Sequence, residues 1–356
     1  MNTVAPQINI VNYTRVLIVP QMDLISDEMF FMIMFINMGI ICQTISLLGT
    51  IANIINITIF IKQGLSDATN ICLLALAVSD LCSLITIMWT NVCYTPSFKD
   101  SNVFLISYEV QLITGIWPHI IFTRTTGWIT AFICLQRCVC VILPLKVRNI
   151  FTTRRHILFM VTIYVITLGL SAFAYFSLGI GWKFDLARNQ TLVGLIYYMD
   201  PARRKIVDQI SYGINGVFIP ITAFLLVVIC TVILVIKLNQ QAAWRTASSS
   251  VNHQTKDSSS NESNMSARDK RVSKMIILIS SMFITCFIPA VCAFIGGCIE
   301  PELTYDGGYK NLFLATLSVS FITEAINSSS NIFIYFSVST KYRNTFRDIF
   351  KLNKSV

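Results

Sequence analysis

Residues Gly127 to Arg155 read GWITAFICLQRCVCVILPLKVRNIFTTRR. An apolar run of helical length reaches a single charged side chain, Arg137. Pro144 then breaks the run, and Lys146, Arg148, Arg154 and Arg155 follow. An arginine centred in hydrocarbon costs at least about 2.5–3.5 kcal/mol on insertion scales. It is tolerated where the side chain reaches water or a partner. The stretch therefore marks a membrane boundary with a charged group held there.

The composition agrees. Of 356 residues, 54% are apolar and only 13% charged, against about 25% charged in soluble proteins. Repeated apolar runs of about 20 residues exclude a soluble helical core. The net charge of +9 lies in one set of span flanks, as the positive-inside bias requires, and so does not indicate nucleic-acid binding. Most of the eleven cysteines, among them Cys72, Cys134, Cys138 and Cys230, lie in or against apolar runs, where they act as small hydrophobes. None forms a paired CxxC metal pattern.

Seven apolar segments are long enough to cross a bilayer, at about 29–61, 70–93, 104–143, 156–181, 208–237, 272–297 and 312–336. The expected fold is an all-α integral membrane protein, a seven-transmembrane helix bundle over 29–337, because helices satisfy their own backbone groups in lipid. Residues 1–28 read as an extracellular tail without the features of a cleaved signal peptide. Residues 238–271, with two serine triplets, read as a disordered cytoplasmic loop. Residues 338–356 read as an amphipathic cytoplasmic helix and tail. Lys and Arg in the flanks place the N-terminus outside and the C-terminus inside, in the plasma membrane. The sequons at Asn12 and Asn189 then face outward as glycosylation candidates.

Polar residues inside these spans are informative because each needs a partner. The first span carries Asn53, the second Asp80, and the seventh Asn327-Ser328 and Asn331 through Tyr335. Asp80 is the strongest single site. A carboxylate at mid-membrane needs a cation, a proton or several donors. Pro220 and Pro289 interrupt the fifth and sixth spans, and a proline there opens the helix ladder.

Together these residues resemble the rhodopsin-like G-protein-coupled receptors. Gln136-Arg137-Cys138 stands where that family has acid-Arg-Tyr, followed by Pro144-Leu145. Asn53, Leu76-Ala77-Val78-Ser79-Asp80, Pro220 and Pro289 match its helix signatures. Asn331-Ile332-Phe333-Ile334-Tyr335 matches its Asn-Pro-x-x-Tyr with isoleucine at the proline, and Phe287 replaces the tryptophan before Pro289. The family's extracellular disulfide is missing: Leu112 occupies the helix position and residues 177–208 contain no cysteine. Cys93 and Cys298, near outer helix ends, are the alternative pair. Tyr164 stands near the family's fourth-helix tryptophan.

The resemblance implies a receptor that signals to a heterotrimeric G protein through a shift of helix six, with arrestin and receptor kinases as further partners. It implies a sodium ion at Asp80, Thr126, Asn327, Ser328 and Asn331, with no other cofactor or metal. It implies a hinge at Pro220, Phe287 and Pro289. It also implies an inner switch of Arg137, Pro144, Asp269 and Tyr335, in which Asp269 replaces the missing acid beside Arg137. The ligand, a small molecule or peptide, is expected against His119, Thr123, Arg124, Phe321 and Glu324. Arg124 and Glu324 pair with each other or meet the ligand. His119 stands where amine receptors carry aspartate, which argues against a biogenic amine. Leu73 to Asp80 and the absent disulfide are similar to molluscan chemosensory receptors; a neuropeptide receptor is the alternative within the class. A channel or transporter is the alternative outside it, though no internal repeat points there. An enzyme is not expected, because the three histidines lie in separate regions with no catalytic pattern.

Overall fold

A computed structural model describes residues 24–95, 98, 102–143, 151–186, 188–249, 260–304 and 307–351; the side chains of 212 and 241–269 fall outside that description. The helices are α1 (Asp27–Gln63), α2 (Ala68–Tyr94), α3 (Ser107–Ile142), α4 (Thr153–Ser177), α5 (Pro201–Gln240, its helix continuing to Ser249), α6 (Ser260–Ile299), α7 (Lys310–Val338) and α8 (Thr340–Ile349). Seven of them are long and apolar enough to cross a bilayer. The chain is a multi-pass membrane protein with an all-α seven-helix bundle.

Local chemistry sets the helix ends. Ser26, Asp67, Asp200 and Ser339 each accept a backbone N–H in the first turn of α1, α2, α5 and α8, satisfying donors that a helix start leaves open. Two widened turns have a proline cause. Leu112–Ile116 in α3 precedes Pro118, and Gly213–Phe218 in α5 precedes Pro220. Each proline lacks the N–H that an α-turn would use there.

α3 is central and packs against α2, α4, α5 and α6. The main core runs down this axis through Leu76, Ile129, Ile133, Val227, Ile276 and Phe283. α4 is peripheral and turns Leu158, Val165 and Leu168 outward, as lipid permits. α1 and α7 approach closely at Gly49, where a Cβ would lie 1.9 Å from Ser329 Oγ; any larger residue would push the two helices apart.

The fourth and fifth segments depart from expectation. α4 ends at Ser177, and Leu178–Asp185 (β1) pairs antiparallel with Gln190–Tyr197 (β2). The stretch Leu178–Gly181, expected to finish the fourth span, is therefore strand. Asn189 makes the hairpin turn at φ 50°, a conformation asparagine tolerates. Asn12 lies outside the described residues. The expected loop 238–271 is helical at both ends, since α5 continues to Ser249 and α6 begins at Ser260.

Candidate functional site

Asp80 sits on α2 with no solvent exposure. Thr126 Oγ1 (α3) and Ser328 Oγ (α7) donate to its Oδ1 at 2.9 and 3.1 Å, and Asn331 Nδ2 (α7) donates to its Oδ2 at 2.9 Å. Three donors from two neighbouring helices meet the desolvation demand on a buried carboxyl. Asn53 joins from α1, donating to the carbonyls of Ser328 (2.8 Å) and Gly49 (2.9 Å). Five of the six residues expected in the polar network thus meet directly.

The sixth, Asn327, lines a cavity beside them. Thr123, Thr126, Phe283, Cys286, Phe287, Glu324 and Ser328 line it too, around a space of about 20 Å³. That is room for about one water-sized guest, which needs roughly 10–15 Å³. Thr123, Thr126, Glu324, Asn327 and Ser328 give this space a polar side and Phe283, Cys286 and Phe287 an apolar one, while Asp80 stands behind it, bonded to Thr126 and Ser328.

Glu324, on the cavity wall, belongs to a buried charged cluster. His119 Nε2 is 3.1 Å from Glu324 Oε2, and Arg124 Nη1 is 3.8 Å from Glu324 Oε1. His119 is 1%, Arg124 6% and Glu324 12% exposed, so this is an interior ion cluster held against water competition. Ser83 on α2 brings its hydroxyl and carbonyl to 3.1 and 3.0 Å from His119 Nδ1. Arg124 Nε donates to Asn215 O at 2.9 Å, within the widened turn of α5. Its guanidinium also lies 5.9 Å from the ring centres of Phe287 and Phe294 on α6. One arginine on α3 therefore touches α5, α6 and α7. Phe321 packs edge-on to His119 at 5.4 Å. Thr123 turns its hydroxyl to its own helix, at 3.1 Å from His119 O.

The aromatic layer lies against this cluster. Phe287 stacks on Phe283 at 5.4 Å with 10° between planes, and meets Phe224 of α5 at 5.7 Å. Pro289 falls inside α6, two residues further on.

Residues 40–353 match the family model of the serpentine type 7TM GPCR chemoreceptor Srw. The chain belongs to the Srw family. A Caenorhabditis elegans protein described as a candidate G-protein coupled receptor is 27% identical over 222 residues, covering 57% of this chain and 50% of that protein. The match spans about half of that relative's length. The family so described is one of chemoreceptors.

At the α8 end of this Srw chain, Arg137 is 8% exposed and donates through Nη2 to Thr69 Oγ1. Asp67, two residues earlier, caps the same helix start through the Thr69 N–H at 3.0 Å. Asp269 lies on α6 with its side chain outside the described ones, and Pro144 is also outside them. Tyr335 is 1% exposed, wedged between Phe60 at 5.2 Å and Tyr342 at 5.6 Å. Its hydroxyl has no hydrogen-bond partner among the described residues. Leaving a buried hydroxyl unpaired costs about 1–3 kcal/mol, so the aromatic packing holds Tyr335 against a pull toward water or a donor.

Sequence reasoning missed three contributors: Ser83 behind His119, Thr69 beside Arg137, and Asn56 below Asn53. Ser83 and Asn56 are polar residues inside apolar runs, which was the available signal, whereas Thr69 lies in the polar first turn of α2 and gave none. Cys93 and Cys298 are both free thiols, so the alternative disulfide is not formed.

Proposed function

We propose that this Srw chain is a rhodopsin-like chemosensory receptor that couples an extracellular ligand to a heterotrimeric G protein. The ligand seats at the hairpin end of the bundle, against His119, Thr123, Arg124, Phe321 and Glu324. It prefers the state in which α6 pivots near Pro289, and it moves the equilibrium only by its differential affinity for the two states. The pivot then frees the Arg137 end of α3 for the G protein. Asp269 pairs with Arg137 in the resting state, and Tyr335 moves toward that arginine on activation.

The observation that carries this reading is the position of Arg124. It joins α3 to the widened turn of α5, the aromatic layer of α6 and Glu324 of α7. A group that alters this cluster acts on every helix that must move. Pro220 and Pro289 supply the open ladders that let α5 and α6 bend.

The reading extends to features around this core. A sodium ion occupies the cavity beside Asp80 in the resting state. The hairpin and Asn12 face outward, with Asn12 and Asn189 as glycan sites, and α8 lies on the inner leaflet of the plasma membrane. Arrestin and receptor kinases engage the inner face. The similarity to molluscan chemosensory receptors rests on Leu73 to Asp80 and on the cysteine-free hairpin.

The test is G-protein activation by the full chain in cells against Arg137→Ala at equal surface level, across a panel of odorants and peptides. A ligand-dependent signal lost in the variant supports the reading. Ligand-evoked ion flux that the variant retains, with no nucleotide exchange, overturns it.

A further inference from the structure

The hairpin is held to α3 without a cysteine, and one carboxylate spans both of its strands. Glu109, in the first turn of α3, accepts from Lys183 Nζ of β1 at 2.7 Å through Oε1. Through Oε2 it accepts the backbone N–H of Leu195 in β2 at 2.8 Å. We infer that Glu109 is the positioning residue of the hairpin, the point that fixes β1 and β2 over the end of α3.

The geometry gives that grip its shape. β2 has an outer edge that needs partners, because open strand edges leave N–H and C=O groups unpaired. The segment before α3 supplies the first two: Val193 N donates to Phe104 O and Ile106 N to Val193 O, each at 2.8 Å. The chain then turns into α3 and can no longer pair as a strand. Glu109 takes over at the next edge donor, Leu195. The carboxylate also stands at a helix start, where negative charge is favoured.

Gly194 is what lets the carboxylate in. A Cβ there would lie 2.6 Å from Glu109 Oε2, 3.0 Å from Ile106 Cδ1 and 3.1 Å from Lys183 Cε. A side chain would displace either the carboxylate or the strand. Gly194, Glu109 and Lys183 thus form one unit, drawn from a helix and two strands. On the receptor reading proposed above, this unit sets the form of the ligand entrance; the grip itself does not depend on that reading.

Hydrogen exchange on the full chain in lipid nanodiscs tests it, comparing peptides that cover 190–197 with a reference peptide from α2. Glu109→Ala is expected to speed exchange in 190–197 by about tenfold or more, with the α2 peptide unchanged, since a hydrogen bond to a charged group is lost locally. Glu109→Gln is expected to give a smaller increase, because its amide oxygen can still accept from Leu195. Gly194→Ala and Lys183→Met leave Glu109 in the chain and are expected to act in the same direction. Exchange at the wild-type rate in Glu109→Ala overturns the inference. Acceleration spread equally to α2 also overturns it, because that marks general destabilisation. Where Glu109→Ala does not fold, wild-type rates in both other variants overturn it. No ligand or G protein enters the measurement, so its failure leaves the receptor reading standing.

Discussion

The Tyr342 hydroxyl donates to Asn56 Oδ1 at 2.6 Å, and both side chains are 1% exposed. From there a buried chain of contacts runs to the centre of the bundle. Asn56 Nδ2 donates to Asn53 Oδ1 at 3.3 Å, Asn53 Nδ2 to Ser328 O at 2.8 Å, and Ser328 Oγ to Asp80 Oδ1 at 3.1 Å. α8 is therefore tied to the mid-membrane carboxyl and is more than a surface helix resting on lipid.

Tyr342→Phe keeps the ring packing and removes only the donor. It leaves Asn56 Oδ1 short of a partner in a dry site, an expected cost of about 1–3 kcal/mol. Thermal unfolding of the detergent-solubilised chain should show it, and pairing the change with Asn56→Leu should cost less than the sum of the two singles. Additive losses would break the proposed link. Burial raises the Tyr342 phenol pKa above its usual 10. Its contribution is thus complete below about 10 and is lost only as pH rises beyond that, so the tie should hold unchanged across neutral pH.

The Asp80 site makes a prediction about salt. Where a cation occupies the cavity, sodium chloride should raise the unfolding temperature above that in the same ionic strength of N-methylglucamine chloride, by mass action on the folded state. Asp80→Asn keeps the size and removes the charge, so the sodium increment should vanish. An equal response to both salts in the native chain would sink the cation and leave the hydrogen-bonded cluster as the whole account of Asp80.

The charged cluster predicts strong non-additivity. Glu324→Leu leaves Arg124 buried against Phe287 and Phe294 with its counter-charge gone, at a cost of about 3–5 kcal/mol. Arg124→Met strands Glu324 in the same way, although His119 still faces it at 3.1 Å, so the loss should be the smaller of the two. The double variant should fold better than Glu324→Leu alone, because both desolvated charges are gone. Surface expression and thermal stability of the three variants read this directly. A double variant worse than either single would show that the cluster is held together by something other than charge pairing.

The division between what could be read from the sequence and what could not follows from range. The seven spans were legible because bilayer thickness forces long apolar runs, and Asp80, Asn53, Ser328 and Asn331 stood out as polar residues within them. The hairpin did not stand out. Leu178 to Phe184 continues the apolar run of the fourth span, and its strand pairing depends on residues 190–197 and on Glu109, far away in sequence. The helical ends of 238–271 were hidden by polar composition, though Leu238 to Trp244 carries good helix formers such as Gln and Ala. Thr69, Ser83 and Asn56 matter through what lies opposite them, and one sequence does not show what lies opposite. For Asp269 and Pro144, the expected roles rest on sequence reading alone.

Arg137 and Thr69 supply the last prediction. Thr69 Oγ1 takes the Arg137 Nη2 hydrogen bond, while Arg137 Nε is buried without a hydrogen-bond partner among the described residues. The arginine is therefore restrained by few contacts, and removing one should be felt. Thr69→Val keeps the shape and the backbone N–H that Asp67 caps at 3.0 Å, and it deletes the hydroxyl. If this contact favours the resting state, basal nucleotide exchange on the G protein should rise about three- to tenfold at matched surface level, in line with a hydrogen bond worth about 1 kcal/mol. Thr69→Ser should return it toward the native level, because it restores the acceptor. Asp269→Ala should add to the Thr69→Val effect if both residues hold the same arginine. Basal exchange unchanged in Thr69→Val would mean that the contact is equally present in both states, and the restraint on Arg137 would then have to come from α6 alone.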